Sequence, residues 1–172
     1  MHGGGIASTD GRAALALLHD AVDSMLDVDP AGLDDVELHD LVVQVQAERS
    51  RLAIAAADLL AEWDARGIWQ GDGSRTAGHR LARETRSSVR SSKDEIRRAR
   101  RIRHVPTARA AALDGRLSLD HVDLLAHANS PERRPLFERD ETMLVDHCTA
   151  LSYPDGARVI RYWTVGADNH LA

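Results

Sequence analysis

At 172 residues, 43% of them hydrophobic, the chain can bury one core, or a core with an extension. Its single cysteine, Cys148, excludes an internal disulfide framework and a Cys-based zinc site, and no apolar run approaches the length needed to span a bilayer. The net charge of −5 gives no sign of a nucleic-acid binder, but that sum hides a strong asymmetry.

Aromatic residues make up only 3%, and Ala and Leu dominate the apolar positions, so an all-α protein is expected. Residues 1–10 are Gly-rich, lack the basic-then-apolar order of a signal peptide, and read as a disordered lead. With the lone cysteine, this gives a soluble, cytoplasmic expectation.

Leu15, Leu18, Val22 and Met25 recur at spacings of three and four, which predicts a helix over about 11–26. Asp29-Pro30-Ala31-Gly32 breaks it. A long helix follows over about 34–66, opened by a capping-box pair, Asp34 and Glu37, and stopped by Gly67. Its apolar seam is Leu38, Val42, Val45, Leu52, Ala56, Leu59 and Trp63, interrupted by Arg49, with heptad spacing. Region 11–66 is therefore either an antiparallel hairpin that buries both stripes or a coiled coil forming a homodimer through that seam.

Residues 67–74 read as a loop and hinge, with Trp69 packed against the core. Beyond it, region 75–172 is predicted helical, with helices at about 76–84, 89–104, 107–113, 118–128, 131–150 and 155–165. Cys148 lies beside Leu144 and Leu151 and reads as a small buried hydrophobe.

The charge asymmetry falls in this second region. Between Arg75 and Arg109 stand twelve Lys and Arg against Glu84, Asp94 and Glu95, a balance of +9. The 74 residues before carry −10 and the 63 after carry −4. On a helix, Arg86, Arg90, Lys93, Arg97, Arg100 and His104 form one stripe, with Val89, Ile96 and Ala99 on another face. A short helix, a polar turn at Thr85-Arg86-Ser87-Ser88 and a longer basic helix give the layout of a helix-turn-helix over about 76–104. The candidate DNA-binding residues are Arg83, Arg86, Ser87, Ser88, Arg90, Lys93, Arg97, Arg100 and Arg101. Arginine forks suit phosphate oxygens and guanine edges, and the two serines could cap the helix and donate to phosphate. Two alternatives stand beside this: pairing of the basic face with the acidic helices of the same chain, and a plain solvated face.

Leu81-Ala82, Thr85-Arg86-Ser87-Ser88, Ile96, Ala99 to Ile102, Val105-Pro106 and the run from Ala110 through Gly115-Arg116-Leu117-Ser118 to His121 and Leu124-Leu125 resemble an actinobacterial family, the domain of unknown function 222. The resemblance covers about residues 33–168. The Gly-Arg-Leu-Ser string is also similar to the stretch behind the helix-turn-helix of ParB-type partition proteins. This family typically precedes an HNH endonuclease domain, so the resemblance implies a DNA-targeting helical module whose nuclease would lie downstream of Ala172. The family commonly has Gly where this chain has Arg86, an apolar residue where it has Ser87, and often Trp where it has Arg80.

Asp146-His147 and Asn169-His170 offer the residue types of an HNH site, but 143–150 reads as helix and the ββα frame is missing. His39, His79, His104, His121 and His127 show no metal-ligand spacing. No catalytic residue, metal ligand or cofactor is assigned. The reading is a DNA-binding module, with a helical oligomerisation or protein-interaction module lacking DNA affinity as the alternative.

Overall fold

The structure, a computed structural model, describes residues 10–171. Among them are eight α-helices, two short 3₁₀ turns and no strand, so the fold is all-α. The helices are α1 (Gly11–Leu26), α2 (Asp35–Ala65), α3 (Ala77–Thr85), α4 (Val89–Ile102), α5 (Pro106–Leu113), α6 (Leu119–Ala128), α7 (Arg134–Ala150) and α8 (Tyr153–Leu171). No described helix is long and apolar enough to cross a membrane. The predicted lead, 1–10, lies outside the described residues except for its last, Asp10.

Local chemistry sets the boundaries. Asp10 caps α1 by accepting from the Arg12 backbone N–H. At α2 the capping box forms: the Asp34 carboxylate accepts from the backbone of Val36 and Glu37, and Glu37 accepts from the Asp34 backbone. Ser118 caps α6 in the same way. Two elements differ from expectation. Segment 67–74 is not a plain loop, because Ile68–Asp72 is a 3₁₀ turn bounded by left-handed Gly67 and Gly73. Helix α8 starts two residues earlier than predicted and runs six further. Pro154 is tolerated because the first turn needs no N–H, and Ala167 is buried beyond residue 165.

The chain divides into two compact units, residues 1–43 and 44–172. The division falls within α2 and not at the 67–74 segment, because the C-terminal half of α2 joins the second unit's core through Ile54, Ala57 and Ala61. That core is built from Ile54, Ile102, Val122, Leu125, Phe137, Leu144 and Ile160, all at most 2% exposed. Small residues let the helices approach: Ala108, Ala111 and Ala112 of α5 are buried, and Ala99 of α4 lies in the same cluster. Phe137 and Trp163 meet edge to face at 5.6 Å, and the Trp163 indole N–H donates to Asp140. Cys148 is buried, and desolvation pushes its thiol pKa up.

Helix α5 has no cap of its own, since its N-cap is Val105. The buried Glu141 of α7 supplies one: its Oε1 accepts from the backbone N–H groups of Thr107 (2.9 Å) and Ala108 (3.0 Å).

In the first unit no described residue is buried. The expected hairpin burying both stripes is therefore not what forms. Leu15, Val22, Met25 and Leu26 of α1 and Val42 of α2 remain exposed.

Candidate nucleic-acid interface

Helices α3 and α4 are joined by the three-residue turn Arg86–Ser88. Their packing is close, since a Cβ on Gly78 would stand 2.6 Å from the Lys93 Cγ and 3.4 Å from its backbone. The turn begins at Arg86, whose φ of 56° and ψ of 29° make it the single non-glycine residue with positive φ among the described residues. The backbone N–H groups of Arg86 and Ser87 both reach the Ala82 carbonyl, the closure that usually carries glycine at this position.

A hydroxyl chain fixes the backbone beyond Arg86. Thr85 Oγ1 donates to the Leu81 carbonyl at 2.8 Å, and its oxygen lies 2.8 Å from Ser87 Oγ, which lies 2.8 Å from the buried Ser92 Oγ. Because the Thr85 proton is already used, Ser87 must donate to Thr85, and Ser92 to Ser87. The Ser87 proton is thus directed inward and is engaged, so Ser87 stabilises the turn and has no proton left to donate to a phosphate. Ser88 is the N-cap of α4 and accepts from the Ser91 backbone N–H at 3.0 Å.

The inner face of α4 carries Ser92, Ile96, Ala99 and Ile102. Its cations separate into two groups. In the C-terminal half Arg98, Arg100 and Arg101 reach other helices, while Arg103 at the C-cap is exposed and forms no ion pair among the described residues. Arg98 meets Asp123 of α6 with its Nε 2.9 Å and 3.0 Å from the two carboxylate oxygens. Arg100 holds Asp64 of α2 through two bonds, at 2.6 and 3.0 Å. Arg101 donates to His127 Nε2 at 2.6 Å, and the Nδ1 of the same ring lies 2.7 Å from the Asp123 carbonyl. An arginine only donates and a carbonyl only accepts, so this arrangement places the His127 proton on Nδ1. Beyond α4, Arg109 pairs with Asp58 of α2. Internal pairing with an acidic helix, one of the two alternatives for the basic region, is thus what Arg100 and Arg109 do, whereas Arg98 and Arg101 meet α6.

Arg97 pairs with Asp94 one turn back. Arg83, on α3, pairs with Asp72 and lies 3.3 Å from Ser74 Oγ, while Arg80 bridges Asp72 and Glu84. Hydrogen bonding from Ser74, together with the two guanidinium groups, lowers the Asp72 pKa to about 2. The Arg80 pKa is raised, mainly by its bond to Glu84.

Arg75, Arg86, Arg90 and Lys93 are exposed and form no ion pair among the described residues. They lie before α3, at the turn and on the first turns of α4. Of the nine predicted contact residues, then, Arg86, Arg90 and Lys93 keep unpaired cationic heads. Arg83, Arg97 and Arg100 are held by carboxylates, and Arg101 by a histidine. Arg75 is not among the nine, although it lies in the same basic run and opens it.

The predicted dimer seam is also divided. Leu38, Val42, Leu52 and Leu59 are exposed, Leu59 at 77%, while Val45 and Trp63 are half-buried. The face of α2 that enters the core is instead Ile54, Ala57 and Ala61.

His147 lies in α7, and Asn169 and His170 lie in α8. No group of three potential metal-ligating side chains occurs among the described residues. His121 packs edge to face on Tyr153 at 4.9 Å and shares a 2.9 Å hydrogen bond with Ser118, and burial lowers its pKa. Known protein families, curated proteins and solved structures provide no match to this chain.

Proposed function

We propose that the α3–α4 unit binds duplex DNA through Arg75, Arg86, Arg90 and Lys93, with α4 presented to the major groove by its N-terminal half. The observation that carries this is the sorting of the basic residues. In the C-terminal half of α4, Arg98, Arg100 and Arg101 engage neighbouring helices, whereas Arg75, Arg86, Arg90 and Lys93 gather before α3, at the turn and on the first turns of α4 with no carboxylate to neutralise them; past the helix end Arg103 is exposed and unpaired as well. In a helix-turn-helix it is the N-terminal part of the second helix that reaches base edges. Four unneutralised cations also match the electrostatic term that dominates such binding. The family resemblance supports the same reading and extends it: the module would bring an attached HNH-type nuclease to DNA, while catalysis would belong to that other domain.

Fluorescence anisotropy with a labelled duplex at low salt tests this. The protein is expected to bind, and Arg90→Glu with Lys93→Glu to abolish binding while leaving the melting temperature within a degree or two, since both side chains are exposed. No binding by the unaltered chain, or full binding by the double variant, overturns it.

A homodimer is the second reading, and one observation favours it. Leu38, Val42, Leu52 and Leu59 hold the seam's heptad spacing yet remain in solvent in the single chain. Sedimentation equilibrium tests it, and a monomer at every concentration removes it.

A further inference from the structure

We infer that Asp94 and Arg97 of α4 form a guanine-reading pair, in which Arg97 donates to the O6 and N7 edge in the major groove and Asp94 fixes the direction of its guanidinium. The inference rests on the DNA-binding reading above and adds to it a source of sequence preference. At about 100° per residue, Arg90, Asp94 and Arg97 fall within about 60° of one another, centred opposite the buried face of Ser92, Ile96, Ala99 and Ile102. They form the outermost line of the helix, the line that enters a groove deepest, and Lys93 lies to one side of it. Asp94 is the single carboxylate on that line, since Glu95 falls beside the buried face. The bond from Arg97 to Asp94, three residues back, carries the guanidinium toward the N-terminal half of α4.

The carboxylate is what selects base reading over phosphate binding. Arg98, Arg100 and Arg101 are tied to other helices. Among the described residues, Arg97 alone of the α4 cations pairs within its own helix, and both side chains stay more than half exposed, at 57% and 54%. An exposed pair of this kind adds little to stability. On a face that only neutralises phosphate, an acid on the outermost line works against binding, because it cancels a cation and repels the DNA backbone. For base reading the same acid helps. An arginine carries five N–H donors, and one of them goes to Asp94. The planar fork is thereby held in one orientation while donors remain for a bidentate contact to guanine. Such pre-organisation sharpens discrimination without adding a phosphate contact, so the salt dependence stays with the free cations.

Selection of the full chain against a pool of randomised duplexes, followed by fluorescence anisotropy on the selected duplex, tests the inference. The unaltered chain is expected to select a site with a guanine whose replacement by 7-deazaguanine, which lacks the N7 acceptor, weakens binding about tenfold. Arg97→Ala should bind the two duplexes alike. Asp94→Asn should reduce the ratio at least about twofold and yet bind an unselected duplex more tightly than the unaltered chain, because a negative charge has left the face. Lys93→Ala should weaken binding to every duplex and keep the ratio. Both members of the pair are exposed, so the variants should melt with the unaltered protein, which controls for folding. A selected site without guanine, or a ratio that survives Arg97→Ala, overturns the inference and leaves the DNA-binding reading standing. A ratio untouched by Asp94→Asn overturns the positioning role of Asp94. No binding of the unaltered chain to any duplex overturns the DNA-binding reading and this inference with it.

Discussion

Replacing Arg86 with glycine should make the protein more stable and a poorer DNA binder at once. The backbone at this turn is left-handed, φ 56° and ψ 29°. For a residue with a Cβ that conformation costs about 1–2 kcal/mol. Glycine escapes the clash but loses about 0.5–1 kcal/mol more backbone entropy on folding. The difference favours Arg86→Gly by about 0.5–1 kcal/mol. The hydrogen bonds that close the turn come from backbone N–H groups to the Ala82 carbonyl, so they survive the change. Urea unfolding followed by circular dichroism would show a midpoint higher by about 0.2–0.5 M with the slope unchanged, for a slope near 2 kcal/mol/M. Arg86→Ala is the control, since it removes the cation and keeps the clash. Its stability should equal that of the unaltered protein. In binding, both variants should lose one phosphate contact and about 0.9 from the salt slope. Strain at a cation with no carboxylate partner is what a functional position looks like. If Arg86→Gly is no more stable than Arg86→Ala, the strain account is wrong. If both bind duplex like the unaltered chain, Arg86 lies outside the interface.

Three further outcomes rest on particular contacts. Glu141→Ala leaves the Thr107 and Ala108 N–H groups without an acceptor at a largely buried helix end and should cost about 2–4 kcal/mol, whereas Glu141→Gln keeps an acceptor oxygen and should cost about 1 kcal/mol, both read from urea melts. Asp72→Ala removes a carboxylate and releases Arg83, while Arg80 keeps Glu84, so duplex affinity should rise and the salt slope steepen by about 1, on the order of one per added phosphate contact; an unchanged slope would show that Arg83 does not face the DNA. The melting temperature should fall as pH drops below about 6.5. Burial lowers the pKa of both His104 and His121, helped at His104 by Arg134 and Arg103 and opposed there by Glu138. The unfolded chain then binds more protons than the folded one, so the contribution of these residues is complete above the ordinary histidine pKa and declines as pH falls through it. His121→Gln should flatten that dependence, and an equally steep curve for the variant would refute the assignment.

Much of the fold was legible because helix ends are written in capping chemistry: Asp34 with Glu37 and Ser88 cap where expected, and Ser118 caps the helix expected to start there, whereas the Asp10 cap was not foreseen. The core face of α2 was not. The heptad count followed the large residues Leu52, Leu59 and Trp63, but the face that packs is Ile54, Ala57 and Ala61. Alanine carries little hydrophobic signal in a sequence, yet it is what lets crowded helices approach. Glu141 was invisible for a related reason: a cap supplied by another helix, 33 residues away, leaves no local pattern. In the candidate interface the cations themselves were plain. Which of them are engaged inside the fold was not, because Asp64 lies 36 residues from Arg100 and Asp58 lies 51 from Arg109. Ser87 also changed role, from a phosphate donor to a link in the hydroxyl chain that fixes the turn.

The salt dependence of duplex binding tests the central claim most directly. The four cations assigned to DNA, Arg75, Arg86, Arg90 and Lys93, predict that log K falls with log salt at a slope of about −3.6. A slope near about −7 or steeper would mean that the internally paired arginines also reach DNA. A slope near zero, or no binding at low salt, would contradict the account.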